Sequence, residues 1–204
     1  MTIRRGEEWG ETAPLGTDGV IVEHDHAARK VVEASRGLGE RPPHLGFVGG
    51  DLWRALGAPT GGNERLRGPL AHTAPCDLGI VRLDGVERAF VAHCIIRHSW
   101  WWGRVIAVMN VEWCGAWRIA PKAHPNDGLL DIVDGSLSTG QRWLARRRLA
   151  TGDHLPHPGI RSFRTNNYDI ELSRPTSVWL DGERVGAAQY IEVALEADAL
   201  TVVV

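Results

Sequence analysis

From Cys76 to the C-terminus the chain is a succession of short apolar runs, each closed by turn residues. Few folds accept that pattern. Many short strands with regular turn signals predict antiparallel sheets packed as a sandwich. The predicted strands are residues 78–83, 88–97, 104–110, 129–133, 159–165, 168–172, 177–180, 190–195 and 200–204, with an extended piece over 113–120. Asp84-Gly85, Pro125-Asn126-Asp127-Gly128 and Asp181-Gly182 separate them. Pro presets φ, Asn and Asp tolerate left-handed backbone, and Gly takes positive φ at little cost. One helix interrupts the series. Ser138 and Gln141 have the spacing of a capping box and would start a helix running to about Leu149.

The first 60 residues follow a different rhythm. Asp25 is placed to cap a helix from His26 to Arg36, with Ala27, Ala28, Val31 and Val32 on one side and Gly37 and Gly39 ending it. An extended piece, 45–48, leads into Gly49-Gly50-Asp51 and a short helix over 52–56, closed by Gly57 and Pro59. That order is a fragment of an α/β layer. Residues 1–15 read as a poorly ordered lead-in and residues 60–75 as a loop. The predicted fold class is α+β: a short partial α/β layer over 1–70, then an antiparallel β-sandwich-like domain over 71–204 with one inserted helix.

Composition narrows the partners. Of 204 residues, 43 % are hydrophobic and 24 % charged, which suits a soluble chain with a sizeable core. The net charge of −2 carries no basic excess for nucleic acid. Three cysteines are too few for a disulfide framework and read as reduced, buried thiols. The first eight residues lack the apolar segment of a signal peptide, and no apolar run approaches the ~18 residues of a membrane span. A cytoplasmic location is expected, with peripheral membrane contact as a further expectation. Its motive is Trp100-Trp101-Trp102, three of nine tryptophans. Three adjacent strand residues cannot all face one core, so at least one is exposed or covered by another domain, a partner or a lipid surface. Arg146-Arg147-Arg148 reads as a solvated face, with anion or phospholipid contact as the alternative.

Several groups could carry chemistry. Asp181 and Glu183 lie two residues apart, so a persisting strand would point both to one side. Paired carboxylates at a sheet edge bind a divalent cation or take a proton from a hydroxyl; a solvated hairpin is the plainer reading. Val81-Arg82-Leu83-Asp84-Gly85 echoes Val178-Trp179-Leu180-Asp181-Gly182, so the spelling alone does not make Asp181 catalytic. Asp127 in its tight turn, with turn carbonyls around it, suits a hard cation or simply a turn. Gly16-Thr17-Asp18-Gly19 and Gly46-Phe47-Val48-Gly49-Gly50-Asp51 are each expected to precede a helix, where amides suit phosphate. Neither matches the P-loop or the dinucleotide fingerprint. The histidines lack metalloprotease spacing and read as surface or strand residues.

Taken in order, these pieces resemble the diacylglycerol kinase and bacterial lipid kinase family, which shares its fold with the NAD kinases. The family's nucleotide motif, Gly-Gly-Asp-Gly-Thr followed by Asn-Glu, is matched at Asp18, Gly19 and Glu23 in Gly16-Thr17-Asp18-Gly19-Val20-Ile21-Val22-Glu23. Its Gly-Thr-Gly-Asn-Asp-Phe-Ala-Arg segment resembles Val48-Gly49-Gly50-Asp51-Leu52-Trp53-Arg54-Ala55 before Leu56-Gly57-Ala58-Pro59. The second half matches more fully: Asn110, then Pro121-Lys122-Ala123, then Asp127-Gly128-Leu129-Leu130-Asp131, then Asp181-Gly182-Glu183.

The resemblance implies an ATP-dependent lipid kinase. Asp181 would be the general base toward the lipid hydroxyl and Glu183 its support. Asp18, Gly19, Glu23, Gly49, Gly50 and Asp51 would stand at the nucleotide. A structural Mg²⁺ would sit on the Asp127 side chain and the His124 and Leu129 carbonyls. The strand, Asn-Pro turn and α/β unit with which the family begins have no counterpart here, so a truncated nucleotide half is expected. The alternatives are a catalytically inactive relative that binds lipid, nucleotide or a protein partner, and a homodimer in which a second chain completes the layer. If the kinase reading holds, Asp181 and Asp18 face one cleft.

Overall fold

The structure, a computed structural model, describes residues 9–204. The absence of a signal segment and part of the expected lead-in fall on residues 1–8, outside the described residues. In chain order the elements are β1 (Glu11–Thr12), β2 (Val20–Val22), α1 (Asp25–Gly37), β3 (Leu45–Phe47), α2 (Asp51–Ala55), α3 (Gly62–Leu66), β4 (His72–Leu83), β5 (Val86–Phe90), β6 (His93–Arg97), β7 (Val105–Met109), β8 (Trp113–Cys114), β9 (Trp117–Arg118), β10 (Leu130–Gly135), α4 (Thr139–Leu149), β11 (Ile160–Thr165), β12 (Asn167–Leu180) and β13 (Glu183–Val203).

Eleven strands form one folded-over sheet in the order β1-β4-β13-β12-β6-β7-β10-β11, with β5 on β4, β3 on β13 and β2 on β3; β8 and β9 pair separately. Pairing is antiparallel except β2 with β3 and β3 with β13. The mostly antiparallel architecture with few helices is the predicted one. Two long strands replace four predicted short ones. β12 continues through Pro175 by way of an irregularity between Glu171 and Thr176, where Pro has no N–H for the ladder. β13 continues through a register shift between Glu196 and Leu200, next to Asp198 at φ 53. The predicted loop over 60–75 holds α3.

Because β13 is long, it serves two cores. Its second half packs Leu200 and Val202 with Val22, Ala28, Val32, Phe47 and Leu52 of the N-terminal layer. Its first half packs Ile191 and Val193 with Phe90, Ile96, Val108, Ile132 and Val178 inside the sandwich. A third apolar group, Ile95, Ala107, Met109 and Val133, lies on the outer face of β6, β7 and β10, with Leu149 of α4 packed against it.

Three local expectations are corrected. The predicted strand 88–97 breaks at Val91-Ala92, because those amides turn onto the Asp181 carboxylate. Asp25 does not cap its own helix: α1 already includes it, and its carboxylate accepts the first amides of α2. Trp100, Trp101 and Trp102 occupy the loop between β6 and β7, where no strand alternation applies. Trp100 is half-buried, while Trp101 and Trp102 are 48 % and 51 % exposed. Among the described residues no helix is long and apolar enough to cross a membrane.

Candidate functional site

The turns after β2 and β3 and the β12–β13 hairpin converge on one polar centre. β2 and β3 run parallel, so the Asp25 and Gly49-Gly50-Asp51 segments that follow them lie side by side. Asp25 binds the α2 N-terminus, its Oδ2 accepting Asp51 N at 2.6 Å and its Oδ1 accepting Leu52 N at 3.1 Å. Gly50 is required there. It sits at φ +99, and a Cβ would lie 2.7 Å from Asp25 Oδ1. A Cβ on Gly49 would lie 2.5 Å from the Glu23 carbonyl oxygen. Asp51 in turn accepts His93 Nε2–H at 3.1 Å and Gly115 N–H at 2.9 Å.

Asp181 and Gly182 form the β12–β13 turn, both at positive φ. The Asp181 carboxylate is enclosed: Oδ2 accepts Val91 N–H at 3.0 Å, and Oδ1 accepts Ala92 N–H at 2.8 Å and His93 N–H at 3.1 Å. Its side chain has 0 % exposure. Arg29 is the cation of the centre. Its Nε stands 3.9 Å from Asp181, its Nη2 pairs with Glu183 at 2.5 Å, and its Nη1 pairs with Glu33 at 3.0 Å. Lys30 also holds Glu183, at 2.9 Å. Asp181 and Glu183 therefore meet one cation but differ in access, for Glu183 is 41 % exposed.

The electrostatics follow from that packing. Burial pushes Asp25 up to about 6, and the neighbouring Asp181 charge adds to the effect. Burial also lifts Asp181, against the pull of His93 and three backbone amides. For Asp51 burial is outweighed by the His93 and Gly115 hydrogen bonds, which hold the carboxyl low. Burial would lower His93, but Cys114, Asp51 and Asp181 together drive it well above its ordinary value. The Lys30 bond keeps Glu183 low.

Of the predicted nucleotide residues, Gly49, Gly50 and Asp51 come together beside Asp181, and exposed Glu23 follows β2 nearby. Asp18 and Gly19 do not join them. The glycine turn at 16–19 precedes strand β2, not a helix, and so lies at the opposite end of the parallel strands; Asp18 is exposed. The segment that leads from β2 into α1 is Glu23-His24-Asp25 instead. A cleft of about 560 Å³ does open beside Asp181, within the range of ligand pockets. Asp51, His93, Cys114 and Trp179 line it, and Asp18 does not.

The turn at 124–131 forms a second centre. Asp127 accepts Leu129 N–H at 3.1 Å and pairs with Arg164, whose Nε also donates to Asp131 at 3.0 Å. Asp77 accepts Gly128 N–H at 2.9 Å and Asp198 N–H at 3.0 Å. His124 Nδ1 accepts Asn126 N–H at 3.2 Å. Among the described residues no group of three His, Cys, Asp or Glu side chains is arranged for a metal. The donor set fits Mg²⁺ poorly, because the Arg164 guanidinium already pairs with both Asp127 and Asp131 and a cation would have to displace it.

Sequence reasoning overlooked Arg29, Asp25 as an anchor, and His93. A signal existed. Asp25, Ala28, Arg29 and Val32 are the buried residues of α1, at i, i+3, i+4 and i+7. Two charged residues on that stripe predict a buried ionic contact. Asn110, fully buried, is positioning: its Nδ2 donates to Val91 O at 2.8 Å and Asp77 O at 2.9 Å, tying the two centres together.

Residues 70–204 match the family model described as the YegS C-terminal NAD kinase beta sandwich-like domain. Among solved structures, a "putative diacylglycerol kinase" from Bacillus anthracis str. Sterne superposes with a TM-score of 0.70 at 16 % identity, over 91 % of this chain and 77 % of that one. A second chain of the same description gives 0.69 at 16 % identity over the same shares. A diacylglycerol kinase structure from that organism gives 0.59 at 17 % identity, over 91 % and 75 %. Comparison with curated proteins gives no match. The matched model spans most of the chain, and the chain therefore belongs to the YegS C-terminal, NAD kinase-like β-sandwich family.

Proposed function

We propose that this protein is a lipid-binding relative of the diacylglycerol kinases that does not transfer phosphate. One observation carries the reading: the Asp181 side chain is wholly buried, with both oxygens on backbone amides. A general base must reach the hydroxyl whose proton it takes. Phosphoryl transfer further needs free donors around the phosphates. The Asp51 and Leu52 amides instead serve Asp25, and Arg29 is already paired with Glu183 and Glu33.

Peripheral contact with a membrane belongs to the same reading. Exposed Trp101 stacks with Arg146 of α4, which itself exposes Trp143 and Leu144, and exposed Trp102 follows in the same loop. Residues 139–149 carry four arginines and no acid. Interfacial tryptophans and clustered arginines are the two signals that hold a protein on an anionic bilayer. We also propose that the boundary near residue 70 marks a change of architecture within a shared core, since β3 pairs with β13.

A second reading has its own support. Glu183 is exposed beside Lys30 and would be the base of an ATP- and Mg²⁺-dependent transfer to a lipid hydroxyl. The test is transfer of the ATP γ-phosphate to diacylglycerol in mixed vesicles with Mg²⁺, in wild type, Asp181→Asn and Glu183→Gln. The expected result is no transfer above the protein-free blank and no calorimetric binding of ATP. Transfer abolished by Glu183→Gln would establish the kinase instead.

A further inference from the structure

The cleft beside Asp181 has a second wall that the acidic centre does not use. Arg97, at the end of β6, lies between two indoles, with its guanidinium carbon 4.6 Å from the ring centres of both Trp100 and Trp179. Arg97 Nε and Trp179 Nε1 are both buried without a hydrogen-bond partner. Both are donors only, so what is missing is an acceptor. Buried donors left bare are costly and uncommon in folded proteins. No described carboxylate forms an ion pair with Arg97, and burial depresses it. Arg146 of α4 enters the same cleft without a carboxylate, stacked 4.9 Å over Trp101 and 5.1 Å over Trp117.

The adjoining space has the opposite character. Between α4 and the outer face of β7 and β10 is a pocket of about 110 Å³, walled by Ala107, Ile119, Val133, Leu149 and Ile160. A cavity of about 150 Å³ lined by apolar side chains stays dry and takes benzene, so this one suits a few hydrocarbon carbons. His154 also borders it and is 5 % exposed. Trp100, Trp117 and Arg146 line both spaces, so the two adjoin.

We propose that this double cavity binds an acidic amphiphile, its carboxylate or phosphate on Arg97 and Trp179 Nε1 and the start of its alkyl chain in the pocket under α4. The inference rests on reading the protein as one that binds lipid-like molecules, and it names their chemistry. A neutral lipid leaves the two donors bare; a free inorganic anion leaves the apolar pocket empty. Arginine stacked between indoles is held in place before binding, which lowers the ordering cost of gripping an acid.

The experiment is calorimetry on the full chain with decanoate, decyl phosphate, decanol and inorganic phosphate, each below its aggregation concentration. The two acids bind, their ratio distinguishing a carboxylate from a phosphate headgroup. Decanol binds about tenfold more weakly or worse, the cost of unmatched charge-assisted hydrogen bonds, and inorganic phosphate alone does not bind. Arg97→Gln weakens both acids by about tenfold and leaves decanol unchanged. Ala145→Phe, which fills the pocket from α4, weakens decanoate and decanol alike.

A measurement on the unaltered protein stands behind the variants. Cys114 lines the cleft while Cys76 and Cys94 are buried, so saturating decanoate slows alkylation of Cys114. Equal affinity for decanol and decanoate overturns the proposal. So does a folded Arg97→Gln variant with unchanged decanoate affinity, or Cys114 alkylation indifferent to decanoate. Decanoate binding together with phosphate transfer to diacylglycerol would remove the non-transferring reading and leave this one standing. Neither binding nor transfer would do the reverse.

Discussion

Two hairpins in this protein carry the same Leu-Asp-Gly, at 83–85 and at 180–182, and have opposite fates. Both aspartates take positive φ, 48 for Asp84 and 50 for Asp181, and both accept backbone amides from another segment. Asp84 joins β4 to β5 at the surface and binds Gln189 and Tyr190 amides in the open. Asp181 joins β12 to β13 beneath the N-terminal layer, where α1 presents Arg29 and the β5–β6 break supplies three amides. The same turn chemistry is thus a local ornament in one place and the anchor between two cores in the other. What differs is the element packed above, which the turn does not encode.

Substitution should widen that contrast. The largest effect is expected from Arg29→Met, which removes the buried guanidinium shared by Asp181, Glu183 and Glu33 and costs about 3–5 kcal/mol in denaturant unfolding. Arg82→Met, beside the exposed hairpin, leaves the midpoint unchanged; equal midpoints for the two variants would end the distinction. Next comes Asp181→Asn. The amide oxygen retains two of the three N–H donors, but its NH₂ faces the third, for a loss of about 2 kcal/mol. Asp84→Asn is silent in the same assay. An Asp181→Asn protein as stable as wild type would mean that the carboxylate is not an anchor.

The pH dependence sharpens the comparison further. The Asp25 carboxyl stands at about 6 in the folded protein, against about 4 in an unfolded chain. Between those values the folded state holds more protons, so this contribution to stability falls as pH rises from about 4 to about 6, by roughly 2 kcal/mol. Glu33 and Asp51, both held low, act in the opposite sense and lose their contributions only as pH falls below the ordinary carboxylate range. Urea unfolding of wild type and Asp25→Asn at pH 4.5, 5.5 and 6.5 checks this. The variant should decline less steeply, keeping only the share that comes from Asp181 and His93, and curves parallel to wild type would refute the assignment to Asp25. The smallest effect belongs to the other centre. Arg164→Leu unpairs Asp127 and Asp131 at a site 35 % exposed on the arginine side, and costs about 1 kcal/mol after solvent screening. Adding Mg²⁺ to wild type should leave its melting temperature unchanged; a rise would restore the cation at Asp127.

The sandwich was legible because strand alternation and Asx-Gly turns are local properties. The capping box of Ser138 and Gln141, the short helix after Gly49-Gly50 and the antiparallel strands from β4 onward stand close to where the residues place them, apart from the break at Val91-Ala92 and the merging of four short strands into β12 and β13. The site was legible only in part. Gly49, Gly50, Asp51, Asp181 and Glu183 are at the centre, whereas Asp18 and Gly19 lie at the wrong end of a strand. A glycine turn looks the same before a strand as before a helix, and motif matching alone does not say which end of a strand it occupies. In the sequence His93 reads as an ordinary strand residue, since nothing near it in the chain announces Asp51 or Cys114.

By itself, then, the sequence determined the architecture: where strands run, where they turn, and that a small α/β layer precedes them. Period and turn chemistry act over a few residues, and they are written in consecutive positions. Only the tertiary structure decided what the carboxylates do. The roles of Asp25, Asp181 and Glu183 depend on Arg29 and on amides that are distant in the chain and within 4 Å in space. Burial turns such contacts from solvated charges into anchors, and burial is a property of the packed whole.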